Sequence, residues 1–222
     1  MSRNSSIDTT PVCVLCGCAD TLYLTKAHSR RFYSCPCCRL IFVSPEDRLP
    51  PDEERSHYAT HENDPYDPGY RAFLSRLADP LVRELPQGAT GLDYGSGPGP
   101  ALAKMLRDIG FTMEVYDPFF APAADALART YDFVTCTETA EHFHHPAKEF
   151  RRLNRLVRPG GWIAVMTEWP GDEVEIETWR YARDPTHVVF YRRETMVWLA
   201  EAHGWSCTFF RKNVSIFQKK TR

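Results

Sequence analysis

The chain has 222 residues, 25% of them charged, and a formal net charge of −2 at pH 7. This length allows one core of good size and a small appendage, and the charge is that of an ordinary soluble protein. No apolar run reaches about 18 residues, and residues 1–10 lack the apolar core of a signal peptide. These features exclude a membrane span, so we expect a cytoplasmic protein.

Cysteines dominate the first part of the chain. Residues 1–10 are polar and predict a disordered tail, and six of the eight cysteines follow between positions 13 and 38. Two C-x2-C pairs separated by 18 residues have the spacing of a zinc ribbon, whereas a redox turn has a single pair. Cys18 and Cys37 are alternative ligands, but Gly17 after Cys16 and Pro36 after Cys35 favour the cysteines of the two C-x2-C pairs. We predict a zinc ribbon over residues 11–44 with these Zn²⁺ ligands: Cys13, Cys16, Cys35 and Cys38.

Two roles for this ribbon remain open. Four basic residues lie between positions 20 and 42 with interleaved aromatic residues, a pattern typical of nucleic-acid surfaces. Alternatively, zinc replaces a core too small to form by itself, and the basic side chains are solvated. Four charges are few beside the contacts that nucleic-acid binding needs, so the second interpretation is favoured. The basic residues are Lys26, Arg30, Arg31 and Arg39.

A Pro-rich, charged stretch begins at Ser44 and predicts a linker into the next unit. Asp67 and Pro68 have the residue types that start a helix, and apolar spacing predicts that helix over Tyr70–Leu85. A strand over Thr90–Tyr94 should follow.

Alternate glycines come next, at Gly95, Gly97 and Gly99, where this strand should become a helix over 99–109. We call this segment the glycine loop. Glycine allows a tight turn and the close approach of a ligand, and the helix would aim free N–H groups at it. The pattern D-x-G-x-G-x-G, followed about 20 residues later by an acid at a strand end, suits S-adenosylmethionine better than a dinucleotide. The acid is Asp117, which closes a strand over 112–117 and can accept both ribose hydroxyls.

Strands and helices continue to alternate, which predicts a parallel, doubly wound, Rossmann-like sheet in an α/β domain over residues 68–222. The further predicted elements are a strand over 131–136, a helix over 146–156, a strand over 162–168, a helix over Arg193–His203 stopped by Gly204, and a terminal hairpin over 206–211 and 214–219.

Three further motifs follow in this order: E-T-A-E-H at 138–142, Pro146, and R-P-G-G at 158–161. Together with the glycine loop, they resemble the class I S-adenosylmethionine-dependent methyltransferases, in particular small ones related to ubiquinone-biosynthesis O-methyltransferases, over residues 68–218. The resemblance implies a seven-stranded type of sheet. However, only 13 residues separate Asp117 from Tyr131, so the third strand and its adenine-binding acid lack a secure counterpart. Asp125 would be a poor substitute.

The resemblance also implies the site. Residues 45–67 should include a segment that covers the cofactor. Expected cofactor contacts are Asp93, Gly95, Gly97, Gly99, Asp117, Pro118, Phe119, Glu138 and Tyr70. The candidate bases are His187 and His142, whereas His144 and His145 are interpreted as exposed loop residues. A lid over the acceptor should contain Trp179, Tyr181, Asp184 and Tyr191.

These features predict methyl transfer from S-adenosylmethionine to an oxygen or nitrogen of a small-molecule acceptor. One alternative is an RNA methyltransferase that holds phosphates with the ribbon and the basic C-terminal residues. The other is a non-catalytic protein that senses S-adenosylmethionine and binds a protein partner through the ribbon.

Overall fold

The computed structural model describes residues 10–58, 64–171 and 175–221. Nearly all of the predicted N-terminal tail lies outside the described residues. Two sheets organise the described chain, one of four strands and one of six. Among the described helices, none combines the length and the apolar character needed to cross a membrane.

The larger sheet has the predicted doubly wound form. Its order is β5-β4-β6-β7-β10-β9, with β5, β4, β6 and β7 parallel and β10 antiparallel to both of its neighbours. The terminal hairpin therefore supplies a reversed strand, β10, as predicted, and its other strand, β9, forms one edge of the sheet. The strands are β4 (Thr90–Tyr94), β5 (Thr112–Tyr116), β6 (Tyr131–Thr137), β7 (Val157–Met166), β9 (Trp205–Phe210) and β10 (Val214–Lys219).

Within the described residues, no strand takes the place of the third strand of the seven-stranded type. The chain between β5 and β6 instead contains a short 3-10 helix at Ala124–Ala128. As a result, β5 forms one edge of the larger sheet.

Five α-helices occur in the described chain: α1 (Pro51–Tyr58), α2 (Pro68–Val82), α3 (Ala101–Asp108), α4 (Pro146–Leu156) and α5 (Arg193–His203). The bounds of α4 and α5 agree with prediction, and Gly204 ends α5 at φ +69°. Asp67 caps α2 by accepting a hydrogen bond from the Tyr70 N–H. The sequence analysis missed α1, which lies in the predicted linker.

The N-terminal ribbon, residues 11–44, has its own antiparallel sheet. Strands β1 (Leu22–Ala27), β2 (Arg30–Ser34) and β3 (Ile41–Val43) are joined by β8 (Val189–Phe190) from far along the chain. Ile41 pairs with Phe190 and Phe42 with Val189. The ribbon also shares one apolar core with the face of the large sheet that α4 and α5 cover. It is therefore built into the domain through both backbone pairing and core packing.

Arg30 fastens this junction from inside. Its side chain is buried and donates hydrogen bonds to the backbone carbonyls of Ala182 at 2.5 Å, His187 at 2.9 Å and Pro185 at 3.1 Å. The guanidinium also lies 5.5 Å from the centre of the Phe32 ring. Arg30 thus ties β2 of the ribbon to the 182–187 segment, and the prediction of a solvated or nucleic-acid-facing side chain is wrong for this residue.

Replacing Arg30 by Met should lower the free energy of unfolding by about 2–4 kcal/mol, because three buried carbonyls would lose their donor. Denaturant unfolding of both proteins measures the difference. Arg39→Met is the matched control, since Arg39 is exposed in the same ribbon and should tolerate the change. A loss below about 0.5 kcal/mol for Arg30→Met would contradict the role given to the buried guanidinium.

Candidate functional site

A cleft of about 480 Å³ opens at the carboxyl ends of β4, β5 and β6. Doubly wound sheets bind their ligands at this edge, and the volume is in the range of small-molecule sites. Of the predicted site residues, those that line the cleft are Tyr70, Gly95, Gly97, Gly99, Asp117, Pro118, Phe119, Glu138, His142 and His187. The structure thus brings together residues that are far apart in the sequence.

The glycine loop forms the floor of this cleft. Gly95 and Gly97 have φ of +79° and +64°, a conformation that side chains disfavour. A Cβ at Gly95 would also collide with the side chain of Thr139, whose hydroxyl donates to the Gly95 carbonyl at 3.0 Å. Only glycine permits this close approach between the loop and the segment after β6.

Asp117 faces the glycine loop from the end of β5. Its carboxylate accepts hydrogen bonds from the N–H groups of Phe119 at 2.8 Å, Gly97 at 3.0 Å and Phe120 at 3.0 Å. These donors fix the orientation of the carboxylate beside the cleft. A carboxylate held in this way can accept further hydrogen bonds from ligand hydroxyls, because its two oxygens offer about four acceptor sites.

Asp93 does not line the cleft, in contrast to its predicted role as a cofactor contact. It lies buried behind the loop and accepts a hydrogen bond from the Thr135 hydroxyl at 2.7 Å. Burial raises the pKa of Asp93 to about 6. This residue therefore connects β4 to β6 through Thr135.

Two carboxyl groups lie where β6 ends: Glu141 is fully buried and Glu138 is half-buried. Burial, followed by the charge of Glu141, raises the pKa of Glu138 to about 9, and burial also raises the pKa of Glu141. Glu141 accepts a hydrogen bond from the Tyr181 hydroxyl through Oε1 at 2.5 Å. Glu138 Oε1 and Glu141 Oε2 have no hydrogen-bond partner within the described residues. Such a pair favours a cationic ligand, whose charge would replace the missing partners.

The two candidate bases lie side by side next to this pair, with ring centres 4.7 Å apart. Nδ1 of His187 is 2.7 Å from the Tyr181 carbonyl, and Nδ1 of His142 is 3.1 Å from the Thr186 carbonyl. Because a carbonyl only accepts, each Nδ1 carries the proton, and Nε2 is the basic nitrogen in each neutral ring. Burial lowers the pKa of His187, which favours the neutral ring.

Glu141, His142 and His187 also place one ligand atom each within 4.8 Å of one another. Imidazole nitrogen and carboxylate oxygen are ligands that divalent transition metals accept. The same three side chains can therefore act on a proton or hold a metal ion.

None of the four predicted lid residues lines the cleft. Tyr191 is fully buried, and its hydroxyl donates to the Ala140 carbonyl at 3.0 Å. Trp179 donates to Glu168 at 3.1 Å, and Asp184 accepts from the Thr186 N–H at 2.8 Å. Tyr181 contacts Glu141, and Asp184 lies within the 182–187 segment, so the structure does not give these four side chains their predicted place against the cleft.

The element that covers the cleft is α1, which lies within residues 45–67, where the sequence predicted a linker and a cofactor-covering segment. The Tyr58 ring lies 5.6 Å from Phe119 and 5.0 Å from His142, measured between ring centres. Glu54 lies 3.4 Å from His144 Nε2, and both residues line the cleft. Pro51 followed by three acids is a helix-start signal that would have revealed α1.

His144 and His145 also line the cleft, although the sequence analysis placed them in an exposed loop. His145 is exposed as expected, but His144 is half-buried. The contact of His144 with Glu54 connects the loop after β6 to α1, which explains why its imidazole lies against the cleft.

The cysteine cluster has the geometry of a four-sulfur metal site. The Sγ atoms of Cys13 and Cys38 are 3.5 Å apart and those of Cys16 and Cys35 are 3.4 Å apart, and all four lie within 4.8 Å of one another. A tetrahedron with Zn–S bonds of about 2.3 Å requires sulfurs about 3.8 Å apart. The predicted ligand set therefore fits Zn²⁺.

The alternative cysteines also come together. Cys18 and Cys37 form a second group with Cys35, and the Sγ atoms of Cys18 and Cys37 are 2.6 Å apart. Because Cys37 is exposed and this group has three members, the four-sulfur group remains the better structural metal site.

Arg31, like Arg30, serves the protein itself. Its guanidinium donates to Asp47 and Glu46, each at 2.8 Å. With Arg30 buried and Arg31 paired, two of the four basic side chains that suggested a phosphate-binding surface are engaged within the protein. The RNA methyltransferase alternative loses this support.

Comparison with known proteins agrees with this geometry. Residues 62–208 match the family model described as "Methyltransferase domain". The chain belongs to this methyltransferase family, and its sheet is of the class I S-adenosylmethionine-dependent type.

Ubiquinone biosynthesis O-methyltransferases are among the curated relatives. The protein from Pectobacterium atrosepticum is 34% identical over 93 residues, which are 41% of this chain and 37% of that protein. The protein from Sodalis glossinidius is 36% identical over 93 residues, which are 41% of this chain and 36% of that protein. The chain thus spans little more than a third of the length of these relatives.

Solved structures show the same fold at low identity. Burkholderia thailandensis 1,6-didemethyltoxoflavin-N1-methyltransferase, solved with 1,6-didemethyltoxoflavin and S-adenosylhomocysteine, has a TM-score of 0.53 at 16% identity. The match covers 92% of this chain and all of that one. Haemonchus contortus phosphoethanolamine N-methyltransferase 2 has a TM-score of 0.56 at 14% identity and covers 77% of this chain and 56% of that one.

The raised pKa of Glu138 predicts a pH-dependent stability. The folded protein binds the carboxyl proton of Glu138 more tightly than the unfolded chain does. The stability that protonated Glu138 contributes is therefore complete below pH 4.5 and is lost as the pH rises through about 9. Glu138→Gln cannot ionise and should match the unmodified protein at pH 5 but melt at least ~5 °C higher at pH 9. Thermal melts at both pH values measure this.

Glu201→Gln is the control, because Glu201 is exposed on α5. Equal melting temperatures for Glu138→Gln and the unmodified protein at pH 9 would show that Glu138 is not a destabilising buried charge.

Proposed function

We propose that this protein transfers a methyl group from S-adenosylmethionine to a small-molecule acceptor. The proposal rests chiefly on one arrangement: Asp117 faces the glycine loop in the same cleft as the buried carboxyl pair and the two histidines. S-adenosylmethionine supplies a methyl group on a positively charged sulfur, which needs no further activation by the protein.

The residues of the cleft fit this donor. Asp117 would accept the ribose hydroxyls, and Phe119 offers an aromatic face to the adenine. Glu138 and Glu141 have oxygens without partners, and the sulfonium and ammonium groups of the donor carry the charge that such oxygens favour. Burial raises the pKa of Tyr70 to about 12, so its hydroxyl remains a neutral hydrogen-bond donor at neutral pH, suited to the donor's carboxylate.

His187 is the proposed base. Its Nε2 would take the proton from an acceptor hydroxyl or ring N–H, while the Tyr181 carbonyl holds Nδ1–H in a fixed orientation. Glu141 lies behind the ring and would stabilise the imidazolium that results. Helix α1, with Tyr58 against His142, would help to exclude water from the reacting atoms.

The cleft volume suits a donor and a small acceptor rather than a polymer. The relatives named above include enzymes of ubiquinone and toxoflavin chemistry. We therefore propose an aromatic or heterocyclic acceptor with an acidic O–H or N–H. A cytoplasmic location remains a prediction from the sequence.

Asp117 provides the test of donor binding. Asp117→Asn keeps the size and shape of the side chain but replaces a carboxylate oxygen, which accepts hydrogen bonds from the ribose hydroxyls, by an amide group. The affinity for S-adenosylhomocysteine should therefore fall by about 10–100-fold. Isothermal titration of the unmodified protein, Asp117→Asn and the exposed control Asp125→Asn measures this. Similar affinity in all three would overturn the assignment of the ribose site.

His187→Ala should lower the turnover number by roughly 100- to 10,000-fold, with little change in donor affinity, because it removes the base. Since burial lowers the pKa of His187, transfer by the unmodified protein should be lost only at a pH below about 6.5, the ordinary histidine value. Radiolabelled methyl transfer to phenols and nitrogen heterocycles, from pH 5 to 8, measures both effects. Full activity of His187→Ala, matching the control His28→Ala at an exposed residue of the ribbon outside the cleft lining, would exclude His187 as the base.

We also propose that the four-sulfur cluster binds one Zn²⁺, which stabilises the ribbon and, through Arg30, the 182–187 segment. Cys38→Ser should lose the metal, whereas Cys37→Ser should retain it. Native mass spectrometry and metal analysis of the purified proteins give the stoichiometry. Zinc retained by Cys38→Ser and lost by Cys37→Ser would show that the other register is correct.

A further inference from the structure

The cleft extends past Asp117 to a polar end that the sequence analysis did not predict. Tyr94 and Tyr116, at the ends of the neighbouring strands β4 and β5, have ring centres 5.1 Å apart. Arg152 on α4 donates to the Tyr94 hydroxyl at 2.7 Å and to Glu149 at 2.8 Å. The Tyr94 hydroxyl donates in turn to Glu149. We call these four residues the edge cluster.

The edge cluster, whose four residues line the cleft, has unused hydrogen-bonding capacity. Both hydrogen bonds to Glu149 use Oε2, and both donated by Arg152 use Nη1. Glu149 therefore has Oε1 available as an acceptor, and Arg152 has further N–H groups available as donors, within the part of the chain that the structure describes. The two side chains are only 17% and 24% exposed, so hydrogen bonds made here would be partly shielded from water.

An acceptor beside a donor is the complement of one edge of adenine. The 6-amino group of adenine donates a hydrogen bond, and the adjacent ring nitrogen N1 accepts one. A carboxylate suits the amino group, and a guanidinium suits the ring nitrogen. Tyr116 supplies an aromatic surface between Asp117 and this pair.

The position of the cluster also agrees with the missing strand. Asp117 directly follows Tyr116, and the Tyr116 ring is next to Tyr94, which is bonded to Glu149. A base attached to a ribose at Asp117 can therefore reach the cluster. Asp125, the substitute considered from the sequence, is exposed and does not line the cleft.

We propose that Glu149 and Arg152 recognise the 6-amino edge of adenine, in place of the acid that a third strand would carry. This inference rests on the proposed S-adenosylmethionine site. Recognition would come from α4, the helix after β6, rather than from the edge of the sheet.

The test compares S-adenosylhomocysteine with S-inosylhomocysteine, in which an oxygen replaces the 6-amino group and N1 carries a hydrogen. Isothermal titration of the unmodified protein should show a preference of roughly 10- to 100-fold for the adenosyl compound, because the inosyl compound sets an acceptor against Glu149 and a donor against Arg152. Glu149→Gln should reduce this ratio to about threefold or less, since an amide can both accept and donate.

Arg152→Met provides an independent variant, which should weaken binding of the adenosyl compound more than binding of the inosyl compound. Glu201→Gln is the matched control, and thermal melts identify any variant that fails to fold. If Glu149→Gln and Arg152→Met keep the full preference, or if the unmodified protein has none, the edge cluster does not read adenine, although the donor site stands. If the unmodified protein binds neither compound, the proposed donor site fails as well.

Discussion

The buried guanidinium of Arg30 is the interaction on which the arrangement of the two sheets depends. It joins β2 of the ribbon to three carbonyls in the 182–187 segment, and one of these belongs to His187. The same segment leads into β8, which completes the ribbon sheet. A small cysteine-rich unit therefore helps to determine where an imidazole lies in a cleft that belongs to the larger sheet. This gives the ribbon a structural role that needs no nucleic acid.

The charge balance of the cleft is the second constraint. Glu138 and Glu141 each have a buried oxygen without a hydrogen-bond partner in the described chain, and no described arginine or lysine forms an ion pair with either of them. The protein alone thus leaves acids in an environment that raises their pKa. A bound cation would relieve this cost, so the feature that destabilises the empty protein is the one that favours a sulfonium donor over a neutral or anionic ligand.

Local sequence patterns were sufficient for much of this structure. Apolar periodicity and turn residues predicted the strands of the large sheet, and caps and glycines predicted the bounds of α4 and α5. The glycine loop and Asp117 could be found because both belong to one strand–helix–strand segment. Long-range contacts were beyond such patterns: the pairing of β3 with β8, the burial of Arg30, and the inward packing of Tyr191 depend on residues about 150 positions apart or on the final core. Glu149 was missed for the same reason, since its neighbour Tyr94 lies on β4, 55 positions earlier in the chain.

The most direct test of the account is a crystal structure of the protein with S-adenosylhomocysteine. We expect the ribose hydroxyls on Asp117, the sulfur on the side of the cleft formed by Glu138 and His187, and the adenine towards Glu149. A ligand in this cleft with its sulfur directed away from both histidines, or a ligand bound outside the cleft, would contradict the proposed transfer site.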